Sequence, residues 1–437
     1  MKNRRLEIRL SDFFRHTLVQ NALSLYGVQI AGYVLPLVTI PYLARVLGVA
    51  GWGLLAFTQA FGSYWATLGE YGFSLSATRE VAYQRDNREK LTEILAGVLG
   101  AKTLLGVASL PFVFLAGLWI PAFHDHPILL WMGTFWAVAQ GFNVMWFFQG
   151  FEQMRLVAAL DISTKALATI AIFLLVHRPE QAWRVLLIQG AGYLLSFAVG
   201  LGLAYRTLPV RLPTWSSVRK ALRMGWSMFL FRGSVSLYTA GNAFILGLFV
   251  SPQIVGYYAG AERISRAFVG LFAPLSQTLY PRLSHLVHRE RDRAARLARI
   301  GVALMGGGGT LMGIVVFVTA PLLVRIILGA SFAEAVPVLR ILSLLLPIVG
   351  VNIALGVQWM LPLGLERDLN AITLLAGLLN IGLAIALAST YKDFGMAWAV
   401  VCAEIFIAAA ICVLLRSRNL SLMKGLDRTW ASPLGLD

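Results

Sequence analysis

The amino-acid sequence predicts an all-α integral membrane protein, with twelve transmembrane helices in two six-helix bundles around a central cavity. Three observations carry this expectation. Of 437 residues, 58% are apolar and 13% charged, about half the charged share of an ordinary soluble domain. Several apolar runs exceed the roughly 20 residues that a helix needs to cross a bilayer. Lys and Arg also alternate sharply between rich and poor connecting segments. A transmembrane β-barrel does not fit, because its strands alternate apolar and polar residues, whereas Ile94 to Ile120 contains a single charge, Lys102.

The chain begins with a basic stretch, Met1 to Arg9, followed by Ser11, Asp12, Arg15 and His16. No short apolar region with a small-residue cleavage site follows, so a retained N-terminus is expected rather than a signal peptide. Leu6, Leu10, Phe13 and Phe14 suit an interfacial helix. Candidate spans then fall near residues 19–43, 53–77, 93–118, 128–149, 156–176 and 184–205. A second six lie near 225–249, 254–279, 300–326, 335–361, 371–389 and 395–415.

With both termini inside, the cytoplasmic segments hold 26 Lys or Arg and the opposite loops hold four, Arg45, Arg178, Arg184 and Lys392. That asymmetry sets the orientation. It also accounts for most of the formal charge of +16, so a nucleic-acid partner is not expected. The basic connector Arg206 to Arg223 divides the chain into residues 1–205, a linker 206–223, and residues 224–437 with a cytoplasmic tail. An offset of 203 residues aligns Gly53 with Gly256, Ala56 with Ala259 and Arg79 with Arg282. These coincidences suggest parallel repeats related by an axis along the membrane normal.

The loops are short, which argues against a catalytic domain and therefore against an enzyme that assembles sugars. Ala96 to Thr103 imitates a nucleotide-binding loop but has alanine at both signature glycine positions. Gly306 to Gly309 reads as close helix packing or a hinge in a flexible ninth helix. His124-Asp125-His126 reads as a solvated turn; neither a metal nor a cofactor is expected. Cys402 and Cys412 are ten apart on one helix, about 15 Å, too far to bridge.

Charges inside the spans carry the functional reading, since each costs at least about 2.5–3.5 kcal/mol in hydrocarbon. Lys102, Lys165, Arg232, Arg263, Arg266, Arg325 and Arg340 outnumber Glu70, Asp161, Glu262 and Glu404. Asp161 with Lys165, and Glu262 with Arg266, have the acid-first, four-residue spacing of local helical pairs. Arg232 and Lys102 have no acid within one turn. Arg232, Arg266, Lys102 and Lys165 are therefore the candidate ligands of an anionic substrate, with arginine suited to phosphate through its planar fork. Glu404, with no basic residue within two turns, suits proton exchange; Glu262, Asp161 and Glu70 are the other gating or ion-coupling candidates. Tyr238, Tyr257, Tyr258, Trp136, Trp146, Phe147 and Phe148 could stack on sugars, although most aromatics at this density must pack or face lipid.

Two segments make the chain resemble a known family. They are Pro36-Leu-Val-Thr-Ile-Pro41-Tyr-Leu-Ala-Arg45-Val-Leu-Gly48 with Glu70-Tyr71-Gly72-Phe73, and Phe231-Arg232-Gly-Ser-Val-Ser-Leu-Tyr238-Thr-Ala-Gly-Asn242 with Val255-Gly256-Tyr257-Tyr258. They resemble the O-antigen and polysaccharide flippases of the multidrug/oligosaccharidyl-lipid/polysaccharide exporter superfamily, whose fold is MATE-like. The resemblance implies transport of an undecaprenyl-diphosphate-linked oligosaccharide across a bacterial inner membrane. It also implies contact with membrane lipids and a functional link to a polysaccharide polymerase and a chain-length regulator. A multidrug extruder of the same fold is the alternative, but its typical cationic substrates would be repelled by a basic interior.

Overall fold

In the computed structural model, the backbone is described for residues 2–420 and 422. Side chains are described for residue 35 and for 38–420 and 422, apart from Phe231, Ser234, Val235, Leu237 and Tyr238. The expected interfacial side chains Leu6, Leu10, Phe13 and Phe14, the aromatic Tyr238 and the tail beyond 422 lie outside the described residues.

All regular structure among the described residues is helical. Eight helices there are long and apolar enough to cross a membrane. Two of them exceed a single crossing. Val38–Tyr83 has 46 residues and Glu366–Ser417 has 52, about 69 and 78 Å of helix at 1.5 Å per residue. Both contain a sharp break, the first at Gly48 (φ 65°, ψ 179°) and the second at Lys392 (φ 55°, ψ −130°). Each break falls in a gap expected between two spans. The expected seventh and eighth spans are not among the eight. Trp215–Thr239 carries Arg219, Lys220, Arg223 and Arg232, and Pro252–Val269 carries Glu262, Arg263 and Arg266, which makes both more polar than the eight.

The chain forms two compact units, Met1–Ala259 with Ile326–Ser331, and Gly260–Arg325 with Phe332–Asp437. In the first, Phe73, Leu95, Val98, Trp146, Phe147 and Val218 share one buried cluster. The linker is part of this unit. Thr214 and Ser217 form a reciprocal cap on the Trp215–Thr239 helix, which satisfies backbone donors that a helix start leaves open. The segment imitating a nucleotide loop lies inside the Arg88–Trp119 helix, and its glycines serve packing. A Cβ on Gly97 would come within 2.6 Å of the Ser217 carbonyl oxygen, and one on Gly100 within 2.6 Å of the Pro213 Cβ.

In the second unit, Leu283, Ala294, Met360, Ala376 and Ile411 anchor the main apolar cluster. The glycine run expected in the ninth helix begins in a π-helical turn, Ala303–Gly307, a widening that leaves the helix continuous. Gly309 packs directly on the Leu345–Asn352 helix, where a Cβ would lie 2.5 Å from the Leu346 carbonyl oxygen. The packing reading of this run therefore holds at Gly309.

Candidate functional site

The site is built on a helix break. Lys2–Glu70 ends and Phe73–Tyr83 begins across two left-handed residues, Tyr71 (φ 49°) and Gly72 (φ 73°). Glycine is required at the second, because a side chain there would be strained and its Cβ would lie 2.5 Å from the Met228 Cβ. The Glu70 carboxylate turns back over the break. Its Oε2 accepts from the Gly72 N–H at 3.0 Å and its Oε1 from the Ser74 N–H at 2.7 Å. A carboxylate on free N–H groups at a helix start is favoured by both hydrogen bonding and the helix dipole.

This turn docks on the Trp215–Thr239 helix. Tyr71 stacks on Phe229 with centroids 4.7 Å apart and planes at 12°. A Cβ on Gly225 would lie 2.6 Å from the Tyr71 carbonyl oxygen. One turn before Tyr71 and two turns beyond Phe229, Thr67 and Ser236 share a hydroxyl hydrogen bond at 3.1 Å. Arg232 projects from the same face. Its Nη1 donates to Ser74 Oγ at 2.6 Å and lies 3.8 Å from Glu70 Oε1. The Arg232 side chain remains 46% exposed, against 22% for Glu70. The expectation of an unpaired Arg232 is thus corrected: an acid faces it from another helix, at a long distance.

Lys102 needs a firmer correction. It is 1% exposed, and its ammonium donates to the carbonyls of Gly141 and Asn143. Those carbonyls lie where the Pro127–Gly141 helix ends, before Met145–Gly150 begins. A cation at a helix C-terminus offsets the dipole and supplies missing donors. The Lys102 ammonium also lies 5.6 Å from the centre of the Phe73 ring. It is a buried capping cation, not an open one.

The other candidates are paired. Lys165 donates to Asp161 at 2.7 Å and Arg266 to Glu262 at 2.8 Å, each along its own helix. Both pairs follow the four-residue spacing. In the second unit, Glu404 Oε2 accepts from Asn352 Nδ2 at 2.7 Å, and the same amide nitrogen also donates to the Glu404 carbonyl oxygen at 3.0 Å. Trp136, Trp146, Phe147 and Phe148 are buried packing residues, as is Tyr258. His124 lies 3.7 Å from Asp125 in an exposed turn, and no metal-binding cluster occurs among the described residues.

Ser74 and Asn352 escaped the sequence reading because both are neutral. A signal was present for Ser74, which stands four residues after Glu70 across a Tyr-Gly break. Asn352 gave none, since its partner is a residue of a distant helix.

Comparison with known proteins agrees with this architecture. A sequence similar to the chain, 29% identical over 406 residues and spanning 92% of it and 98% of the relative, is the "Putative O-antigen transporter" of Escherichia coli (strain K12). Among solved structures, lipid II flippase MurJ in an inward closed conformation superposes with a TM-score of 0.67 at 14% identity, covering 91% of this chain and 87% of its own. An inward-facing multidrug resistance MATE family transporter of the MOP superfamily gives 0.65 at 14% identity, covering 90% and 100%. At such identities the structural likeness is one of fold. The sequence profile of the polysaccharide biosynthesis protein family matches residues 18–287, and the chain belongs to that family.

Proposed function

We propose that this chain is a flippase, not an enzyme. It moves an undecaprenyl-diphosphate-linked oligosaccharide, an O-antigen or other surface-polysaccharide repeat unit, from the cytoplasmic to the periplasmic leaflet of a bacterial inner membrane by alternating access. Twelve crossings in two halves, joined by residues 206–223 and with both termini cytoplasmic, complete the reading. A polymerase and a chain-length regulator are its functional partners. The family match and the relative named as an O-antigen transporter support it.

The observation that carries the assignment of the substrate is Arg232. Its guanidinium stays half exposed on a helix expected to lie in the membrane, and both of its contacts among the described residues run through one nitrogen, Nη1. The rest of the planar fork matches a phosphate's paired oxygens, which an ammonium cannot match. Arg266 and Lys165 are further substrate-binding residues in this reading, each carrying its own acid within one turn.

The test is a flipping assay in proteoliposomes with a labelled lipid-linked oligosaccharide. Arg232→Ala abolishes flipping while the protein remains folded in the membrane, and Arg232→Lys restores only part of it. Full activity of Arg232→Ala rejects the assignment.

A further inference from the structure

We propose that Glu70 and Ser74 are positioning residues that park Arg232 by one corner of its guanidinium, and that a substrate diphosphate displaces the Glu70 carboxylate from it. The inference rests on the reading of Arg232 as a diphosphate ligand.

The two contacts of Arg232 are unequal. The Ser74 hydroxyl at 2.6 Å is a hydrogen bond, whereas Glu70 Oε1 at 3.8 Å is within ion-pair range but too far for one. The carboxylate does not depend on this contact. Two backbone N–H groups, of Gly72 and Ser74, already hold it at 3.0 and 2.7 Å, at the positive end of a helix. When Arg232 turns away, no buried charge is left without partners, which is the event that makes breaking most buried ion pairs costly. Glu70 is thus a weak competitor that stays in place.

Ser74 has the complementary role. Its oxygen accepts from Arg232, so its own hydroxyl hydrogen remains available to a phosphate oxygen arriving beside the guanidinium. The geometry is held firm from below. Gly72 and Gly225 let the two backbones touch, and Tyr71 stacks on Phe229. A diphosphate carries more charge than the carboxylate and engages the fork through paired oxygens. It therefore gains Arg232 and the Ser74 hydroxyl together.

The experiment measures binding of undecaprenyl diphosphate to the purified full-length protein in detergent, with undecaprenyl monophosphate and a zwitterionic phospholipid as comparison probes. Glu70→Gln keeps an oxygen for one of the two backbone N–H groups, removes the competing charge, and is expected to bind the diphosphate about tenfold tighter. Ser74→Ala leaves the cap untouched and is expected to bind about tenfold weaker, with Ser74→Thr restoring affinity. In the Arg232→Lys background, the gain from Glu70→Gln should shrink to less than twofold, because the effect passes through the guanidinium.

Wild-type binding that is lost in Arg232→Ala but unchanged or weakened in Glu70→Gln, with Ser74→Ala also binding as wild type, overturns this proposal alone. Diphosphate binding that persists unaltered in Arg232→Ala, or is absent in the wild type, overturns the functional reading and this proposal with it.

Discussion

Gly53 and Gly256 meet backbone to backbone. A Cβ built on Gly53 would lie 2.8 Å from the Gly256 nitrogen and overlap the Pro252 carbonyl oxygen, while one built on Gly256 would overlap the Val49 carbonyl oxygen. These are the two residues that the 203-residue offset aligns. In the proposed parallel repeats they would be equivalent positions.

Alanine at either glycine is therefore expected to destabilise the protein. Helix propensity favours alanine by about 1 kcal/mol, but overpacking costs about 1–3 kcal/mol or more, and here the obstacle is backbone that has no rotamer to yield. Gly202→Ala, with nothing among the described residues within 4 Å of its Cβ, is the control and should melt at or above the wild-type temperature. Equal melting temperatures for Gly53→Ala, Gly256→Ala and Gly202→Ala in detergent would refute the close crossing.

A second prediction separates support from transport. Lys102→Met leaves the Gly141 and Asn143 carbonyls without their donor, and an unsatisfied buried group costs about 1–3 kcal/mol. The variant should melt lower and accumulate less, yet flip at a near-normal rate per folded molecule. A variant of normal stability that cannot flip would instead return Lys102 to the substrate path.

The contrast between Lys102 and Lys165 shows what the sequence could disclose. Pairs four apart on one helix, Asp161 with Lys165 and Glu262 with Arg266, were legible because helical spacing alone brings them together. Breaks between spans were legible as well, since Gly48 and Lys392 stand in gaps between apolar runs. Partners from other helices were not. Ser74 and Arg232 are 158 residues apart, and the acceptors of Lys102 are backbone carbonyls, which leave no mark on side-chain identity. Trp215–Thr239 was legible as a span despite Arg223 and Arg232 inside it, but the partners those charges would meet were not.

The third prediction concerns orientation. Twenty-six basic residues against four on alternate segments predict that a reporter fused after Arg223 is cytoplasmic, because Lys and Arg near span ends resist translocation. Alkaline phosphatase at that point should be inactive and a fluorescent reporter active. The reverse result would overturn both the twelve-span count and the division at 206–223.

The last prediction concerns what gives transport its direction. Among the intramembrane acids, Asp161, Glu262 and Glu70 all have a cation within 4 Å on one side. Glu404 instead faces an amide, Asn352, whose Nδ2 donates to it while its Oδ1 is buried with no hydrogen-bond partner among the described residues. A carboxyl group that carries a proton could donate it within such a neutral setting, whereas a charged partner would hold the group ionised. Glu404 is therefore the proposed coupling residue for returning protons. Glu404→Gln keeps the oxygen that accepts from Asn352 and cannot exchange a proton, so folding should survive. In proteoliposomes under an imposed pH gradient, wild-type flipping should accelerate several-fold and the glutamine variant should ignore the gradient. Identical responses would exclude this role and leave removal of product on the far side, by the enzyme that polymerises it, as the source of direction.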